Sequence, residues 1–140
     1  MSAHKPYCGG AAPTPAQEHG FSEAIAGETY YVYQGSVPAT TSGLSSYTTN
    51  EQGVIELRLP TGDFSLLHED KFLSLEAFIE KRSIKGEYYE NSESACFEQW
   101  KQIEDFSFEI KGDTLIFLTE RHQCYTGSNP CLKYTGPYPP

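Results

Sequence analysis

The chain has 140 residues, and 10 Lys and Arg against 19 Asp and Glu leave it a formal charge of −9 at pH 7. That length suits a single domain, and the acidic balance disfavours nucleic acid as a partner. An aromatic content of 14% excludes a chain with nothing to bury, and no apolar run approaches the roughly 18 residues of a membrane-spanning helix, so no transmembrane segment is expected.

Residues 1–20 are rich in Pro, Gly and Ala, show no period, and are expected to form an irregular N-terminal arm. They contain no apolar h-region, so an export signal is expected to be absent from this chain. Residues 28–34, dense in aromatic and β-branched side chains, predict a first strand, and residues 44–49 a second. Gly53 closes a turn. Residues 54–59 then set Ile55, Leu57 and Leu59 out of step with Glu56 and Arg58, the alternation of a half-buried strand. A further turn at 60–63 leads into a strand over 64–68. Between 71 and 82 the period changes. Phe72, Leu75, Phe78 and Ile79 fall on one face of a helix, the one convincing helix of the chain. Residues 83–94 read as a loop, and 95–103 as room for a short helical turn holding Phe97, Trp100 and Ile103. Residues 106–110 and 114–119 flank a tight Lys-Gly-Asp turn and predict the clearest hairpin. Phe64, Phe106, Phe108 and Phe117 are its expected core residues, together with the preceding strands. The tail, 121–140, is irregular and rich in Cys, Tyr and Pro. The whole predicts a mainly β protein: one antiparallel sandwich of about seven strands over 21–120, with one inserted helix near 71–82.

The four cysteines, Cys8, Cys96, Cys124 and Cys131, include no C-x-x-C pair, and six residues separate the last two. Two disulfides in an oxidising compartment are therefore expected rather than a metal site. The preferred pairing is Cys8–Cys131 with Cys96–Cys124, which would tie both irregular ends to the core. A local Cys124–Cys131 loop is its competitor.

The run Thr48-Thr49-Asn50-Glu51-Gln52-Gly53-Val54-Ile55-Glu56-Leu57-Arg58-Leu59-Pro60-Thr61-Gly62-Asp63-Phe64-Ser65-Leu66 resembles the hairpin pattern of prealbumin-like sandwich domains, which include carboxypeptidase regulatory-like domains and the B-type repeats of bacterial adhesins. The head Pro6-Tyr7-Cys8-Gly9-Gly10-Ala11 and the tail Asn129-Pro130-Cys131-Leu132-Lys133-Tyr134-Thr135-Gly136-Pro137 resemble those of small exported bacterial proteins of unknown function. The resemblance implies a prealbumin-like Greek-key β-sandwich and an exported, periplasmic or extracellular, location. It attaches no activity. Hydroxyisourate hydrolases of the transthyretin family end in Tyr-Arg-Gly-Ser, and Tyr134-Thr135-Gly136-Pro137 lacks the Arg that would meet an oxyanion. A Lys–Asn isopeptide crosslink of the adhesin type is not expected, because the first predicted strand has no Lys and Glu69 is one residue out of register.

Several constellations are candidate chemical sites. His68-Glu69-Asp70 joins three ionisable groups at a strand end, fit for a divalent cation or acid–base work, against the plainer reading of a solvated entry to the helix. Glu120-Arg121-His122 stands beside Cys124, but a disulfide-bonded Cys cannot attack. Glu87, Glu90, Glu93 and Glu98 lack the spacing of a calcium loop and read as solvated charge. Tyr30, Tyr31, Tyr33, Tyr88 and Tyr89 outnumber what a small core needs and form a candidate binding face for protein or carbohydrate. No catalytic residue, metal ligand or cofactor is assigned. The expected role is a non-catalytic binding or accessory module at the bacterial cell envelope. The alternatives are a small hydrolase or metal-dependent enzyme using His68 or His122, and a structural domain that pairs through a sheet edge.

Overall fold

The computed structural model describes residues 1–9, 12–82, 89–91, 94–124 and 126–134. The protein is mainly β. In chain order it contains β1 (Ser2–Lys5), β2 (Phe21–Ala24), β3 (Thr29–Tyr33), β4 (Ser45–Thr48), β5 (Gly62–His68), a 3-10 helix (Glu69–Phe72), α1 (Leu75–Lys81), β6 (Tyr89–Asn91), α2 (Ser94–Lys101), β7 (Phe106–Ile110), β8 (Thr119–Arg121) and β9 (Leu132–Tyr134). A four-stranded sheet has the order β4-β3-β5-β7, a three-stranded sheet the order β2-β1-β8, and β6 pairs with β9.

The four-stranded sheet forms where the aromatic and β-branched residues concentrate. Its register puts Val32 opposite Leu66, Leu66 opposite Phe106, and Phe64 opposite Phe108, whose rings stack with centroids 6.2 Å apart. Tyr30, Leu66 and Phe106 share one face and close a core cluster with Ala3 and Ile25, contributed by the chain of the three-stranded sheet. Burying each such large side chain contributes about 1.5–3 kcal/mol. The opposite face of the sheet is covered by the 3-10 helix, where Phe72 meets the ring of Tyr31 at 5.2 Å. A second cluster joins Phe78 of α1 to Phe97 and Trp100 of α2, with Cys131 and Leu132.

The predicted helix over 71–82 divides in two. Leu73 is extended, and Ser74 caps α1 by accepting the Ala77 N–H at 3.2 Å, so the regular helix starts only at Leu75. The helical turn expected within 95–103 is a second α-helix, α2, so the described residues hold two α-helices rather than one.

The N-terminal arm is not wholly irregular. Ser2–Lys5 is the middle strand of its sheet, antiparallel to β2 and parallel to β8, so the chain is not wholly antiparallel. Nothing in Ser-Ala-His-Lys favours a strand; its two neighbours hold it there, and Ala3 is small enough to be 3% exposed in the core. The arm is locked at Gly53, whose φ of +74° suits glycine. A Cβ there would lie 2.3 Å from the Met1 carbonyl oxygen. The Met1 ammonium donates to the Gly53 carbonyl at 2.6 Å, and the Met1 carbonyl accepts the Ile25 N–H at 3.1 Å.

The predicted strand over 54–59 keeps its alternation, with Ile55, Leu57 and Leu59 half-buried, but joins no ladder. The predicted hairpin fails similarly. Residues 114–118 do not return beside β7. The chain instead places Thr119–Arg121 alongside β1, leaving Leu115 73% and Phe117 85% exposed. Phe117 is therefore not a core residue.

All four cysteines are bridged, but in the third possible pairing. Cys8 joins Cys124 and Cys96 joins Cys131. The preferred Cys8–Cys131 and Cys96–Cys124 bonds are excluded because Cys96 on α2 packs beside Cys131 in the helix core, while Cys8 follows β1 and so meets the chain that leaves β8. The tail is likewise not wholly irregular, since β9 lies within it.

Candidate functional site

The end of β5 and the start of β3 bring four distant segments together. His68 and Tyr30 are register partners, and Glu28 precedes β3 by one residue. His68 Nδ1 accepts the Asp70 N–H at 3.0 Å, which assigns the ring proton to Nε2; that atom lies 2.5 Å from Glu28 Oε2. Both ring nitrogens of His68 are thus engaged within the protein.

Arg82, at the C-terminal end of α1, continues the network. Its guanidinium reaches Asp70 Oδ2 at 2.6 Å and Glu28 Oε2 at 3.2 Å. Lys81 adds 2.6 Å to Asp70 Oδ1 and 2.8 Å to Glu69. The hydrogen bond from His68, followed by those from Arg82, holds the Glu28 carboxyl at about 2, despite opposing burial. Beneath this network Lys71 pairs with Asp105 at 3.1 Å, and Asp105 also accepts the His68 N–H at 2.6 Å. Burial nevertheless raises the Asp105 carboxyl above the usual carboxylate range, against the pull of Lys71. His68-Glu69-Asp70 is therefore neither a loose solvated loop nor a catalytic set, but the hub of a satisfied ion network.

Beside the network lies a cavity of about 410 Å³. Its wall takes Glu28 and Tyr30 from the β3 region, Arg82 and Phe78 from α1, Trp100 from α2, Glu120 and His122 from the β8 region, and Asn129 from the following loop. His122 Nε2 meets Glu120 Oε2 at 2.9 Å. With that contact the Nε2–H donor is used, and Nδ1 has no hydrogen-bond partner among the described residues. A second cavity of about 650 Å³ lies between the N-terminal arm and residues 122–127; His122 borders both.

One buried polar atom on the first cavity is unmatched, and one tyrosine hydroxyl facing it makes no hydrogen bond among the described residues. Asn129 is 3% exposed; its Oδ1 accepts the Cys131 N–H at 2.8 Å, while its Nδ2 has no partner among the described residues. Tyr30 is 2% exposed, and its hydroxyl likewise has no hydrogen-bond partner among them. Burial first, then the charges of Glu120, Asp105 and Glu28, push the Tyr30 hydroxyl far above its ordinary range, so it stays a donor.

The tyrosine face expected from the sequence does not form. Tyr30 and Tyr33 are buried, at 2% and 6%, and Tyr31 is half-buried under Phe72. Both faces of β3 are covered, one by the three-stranded sheet and one by the 3-10 helix, so adjacent tyrosines on opposite faces are both removed from water. Tyr88 lies outside the described residues, as do Glu87 and Glu93, and Tyr89 is placed only as the first residue of β6. His68 and His122 do border one cavity. The sequence reading missed Glu28, Arg82 and Asn129 there. Asn129 alone carried a local signal, as an Asn-Pro-Cys turn. Among the described residues no group of three His, Cys, Asp or Glu side chains could hold a metal ion. Against protein-family models, curated proteins and solved structures, the chain finds no match.

Proposed function

We propose that this chain is a non-catalytic binding module of an oxidising compartment, built as a prealbumin-like β-sandwich for the bacterial cell envelope, with the cavity beside His68 as its ligand site. The cavity itself carries the reading. Its charged groups are already paired with one another, which suits a rigid, preformed receptor better than a reaction centre. The two disulfides support the compartment, since such bonds persist where thiols are not kept reduced. The test is a thermal-melting screen of the oxidised protein against small polar compounds. Ligands that raise the melting temperature, and fail to do so when Trp100 is replaced by Ala, support the reading. A screen without a single shift would overturn it.

One observation favours a second reading, a small hydrolase. The Glu120–His122 pair leaves Nδ1 unpartnered, the disposition of a carboxylate-oriented general base. Turnover of an activated ester that disappears in His122→Ala would establish the enzyme. Equal background rates in both proteins would dismiss it.

A further inference from the structure

Resting on that reading of the cavity as a binding site, we propose that its ligand is a neutral polyhydroxy compound, a mono- or disaccharide. The first argument is charge. Glu23, Glu28, Asp70, Asp105 and Glu120 all border the cavity; Lys5 pairs with Glu23, Arg82 with Glu28 and Asp70, and Lys71 with Asp105, while Glu120 accepts the His122 Nε2–H. Arg82 is shared between two carboxylates and has no share left for a third. An anionic ligand would therefore enter a net negative wall whose lining cations, Lys5 and Arg82, are already paired. A cationic ligand would have to displace Arg82 or Lys71 from contacts of 2.6–3.2 Å, leaving those charges unpaired, or break the Glu120 contact with His122.

The second argument is the set of groups left over. Asn129 Nδ2 is a buried donor without an acceptor, the Tyr30 hydroxyl makes no hydrogen bond among the described residues, and His122 Nδ1 is an acceptor without a donor among them. All three are uncharged side-chain atoms on one cavity. A buried polar group left unmatched carries a desolvation penalty, which a ligand that meets Asn129 Nδ2 removes. A hydroxyl group accepts and donates through a single atom. Several hydroxyls on one frame could answer Asn129, Tyr30 and His122 together and still donate to the remaining lone pairs of Glu28 and Glu120. The third argument is shape. Trp100 and Phe78 give the cavity apolar wall for the C–H face of a ring, and about 410 Å³ falls within the roughly 300–1,000 Å³ of small-molecule sites.

The experiment uses the full oxidised chain and three groups of probes by saturation-transfer NMR and calorimetry: glucose, N-acetylglucosamine, maltose and cellobiose; glucosamine and spermidine; glucuronate and inorganic phosphate. At least one neutral sugar should bind. Tyr30→Phe keeps the ring and removes only the unmatched hydroxyl, so it should weaken that binding about tenfold while leaving the melting temperature equal or higher. His122→Ala should weaken it comparably and tests the opposite wall, independently of Asn129, whose Oδ1 also serves the fold. Binding of amines or anions but no neutral sugar would overturn the ligand class and leave the cavity reading standing. Absence of binding in all three groups would remove both. Sugar binding unaffected by both substitutions would place the sugar elsewhere and overturn the proposal.

Discussion

The docking of the N-terminal strand onto Gly53 can be measured. At Gly53 a methyl group would stand 2.3 Å from the Met1 carbonyl oxygen and 3.1 Å from the Ile25 nitrogen, both backbone atoms that no side-chain rotation can move. Gly53→Ala must also hold a φ of +74°, which costs about 1–2 kcal/mol for an L side chain. Relieving the overlap requires the start of β1 to withdraw. That breaks the Met1–Gly53 and Ile25–Met1 hydrogen bonds, at about 1 kcal/mol each. The expected loss is about 3–4 kcal/mol. Gly43 supplies the control. Its φ is +77°, yet a Cβ there would meet nothing within 4 Å, so Gly43→Ala should lose only the backbone cost of about 1–2 kcal/mol. Urea unfolding of both variants, with hydrogen exchange at the Ile25 amide, separates the two contributions. Equal losses in the two proteins would refute the view that close approach, rather than backbone strain, holds the strand.

Three further expectations concern the core, the ion network and the bridges. Phe106→Ala should cost about 3–5 kcal/mol and Phe117→Ser no more than about 0.5 kcal/mol; comparable losses in urea unfolding would restore the hairpin predicted from the sequence. Glu28 is held at about 2 instead of 4.5, so its contribution is complete above about pH 4.5 and is lost as the pH falls towards 2. With 30% of its side chain exposed, solvent screening limits that contribution to about 1–2 kcal/mol, and Glu28→Gln should flatten the acid limb of stability by that amount; an unchanged limb would exclude Glu28 as its source. Cys8 and Cys124 are both half-buried, whereas Cys131 is buried in the helix core, so stepwise reduction with alkylation and peptide mapping should label the first pair before Cys96 and Cys131, and the reverse order would contradict the burial.

Strands β3, β4, β5 and β7 were legible because alternation and aromatic density are local properties. Their partners were not. Residues 114–119 carry every local sign of a returning strand, and nothing within them records that Thr119 pairs with Ser2, at the far end of the chain. Residues 54–59 show the same limit, since their alternation survives without a ladder. Ser2–Lys5 fails in the other direction, being a strand made entirely by its neighbours. At the site, His68 and His122 could be singled out by residue type. Their meaning depends on Glu28, 40 positions before His68, and on Arg82, 54 positions beyond Glu28. Those distances turn a suspected base into an occupied ring. The tyrosines were misassigned because β3 shows two faces to the sequence and only tertiary packing shows that both are covered.

The bridges also interlock along the chain, since Cys96 lies inside the loop closed by Cys8 and Cys124 while its partner Cys131 lies outside it. Tension applied ahead of residue 8 and beyond residue 131 therefore crosses directly from Cys8 to Cys124. The intervening backbone carries no load, and because Cys96 is itself tied to Cys131, the stretch from Cys8 to Cys96 holds about 300 Å of slack at roughly 3.5 Å per residue. An oxidised molecule pulled by its two ends is a short, nearly inextensible link, and breaking one covalent bond would let it lengthen many-fold.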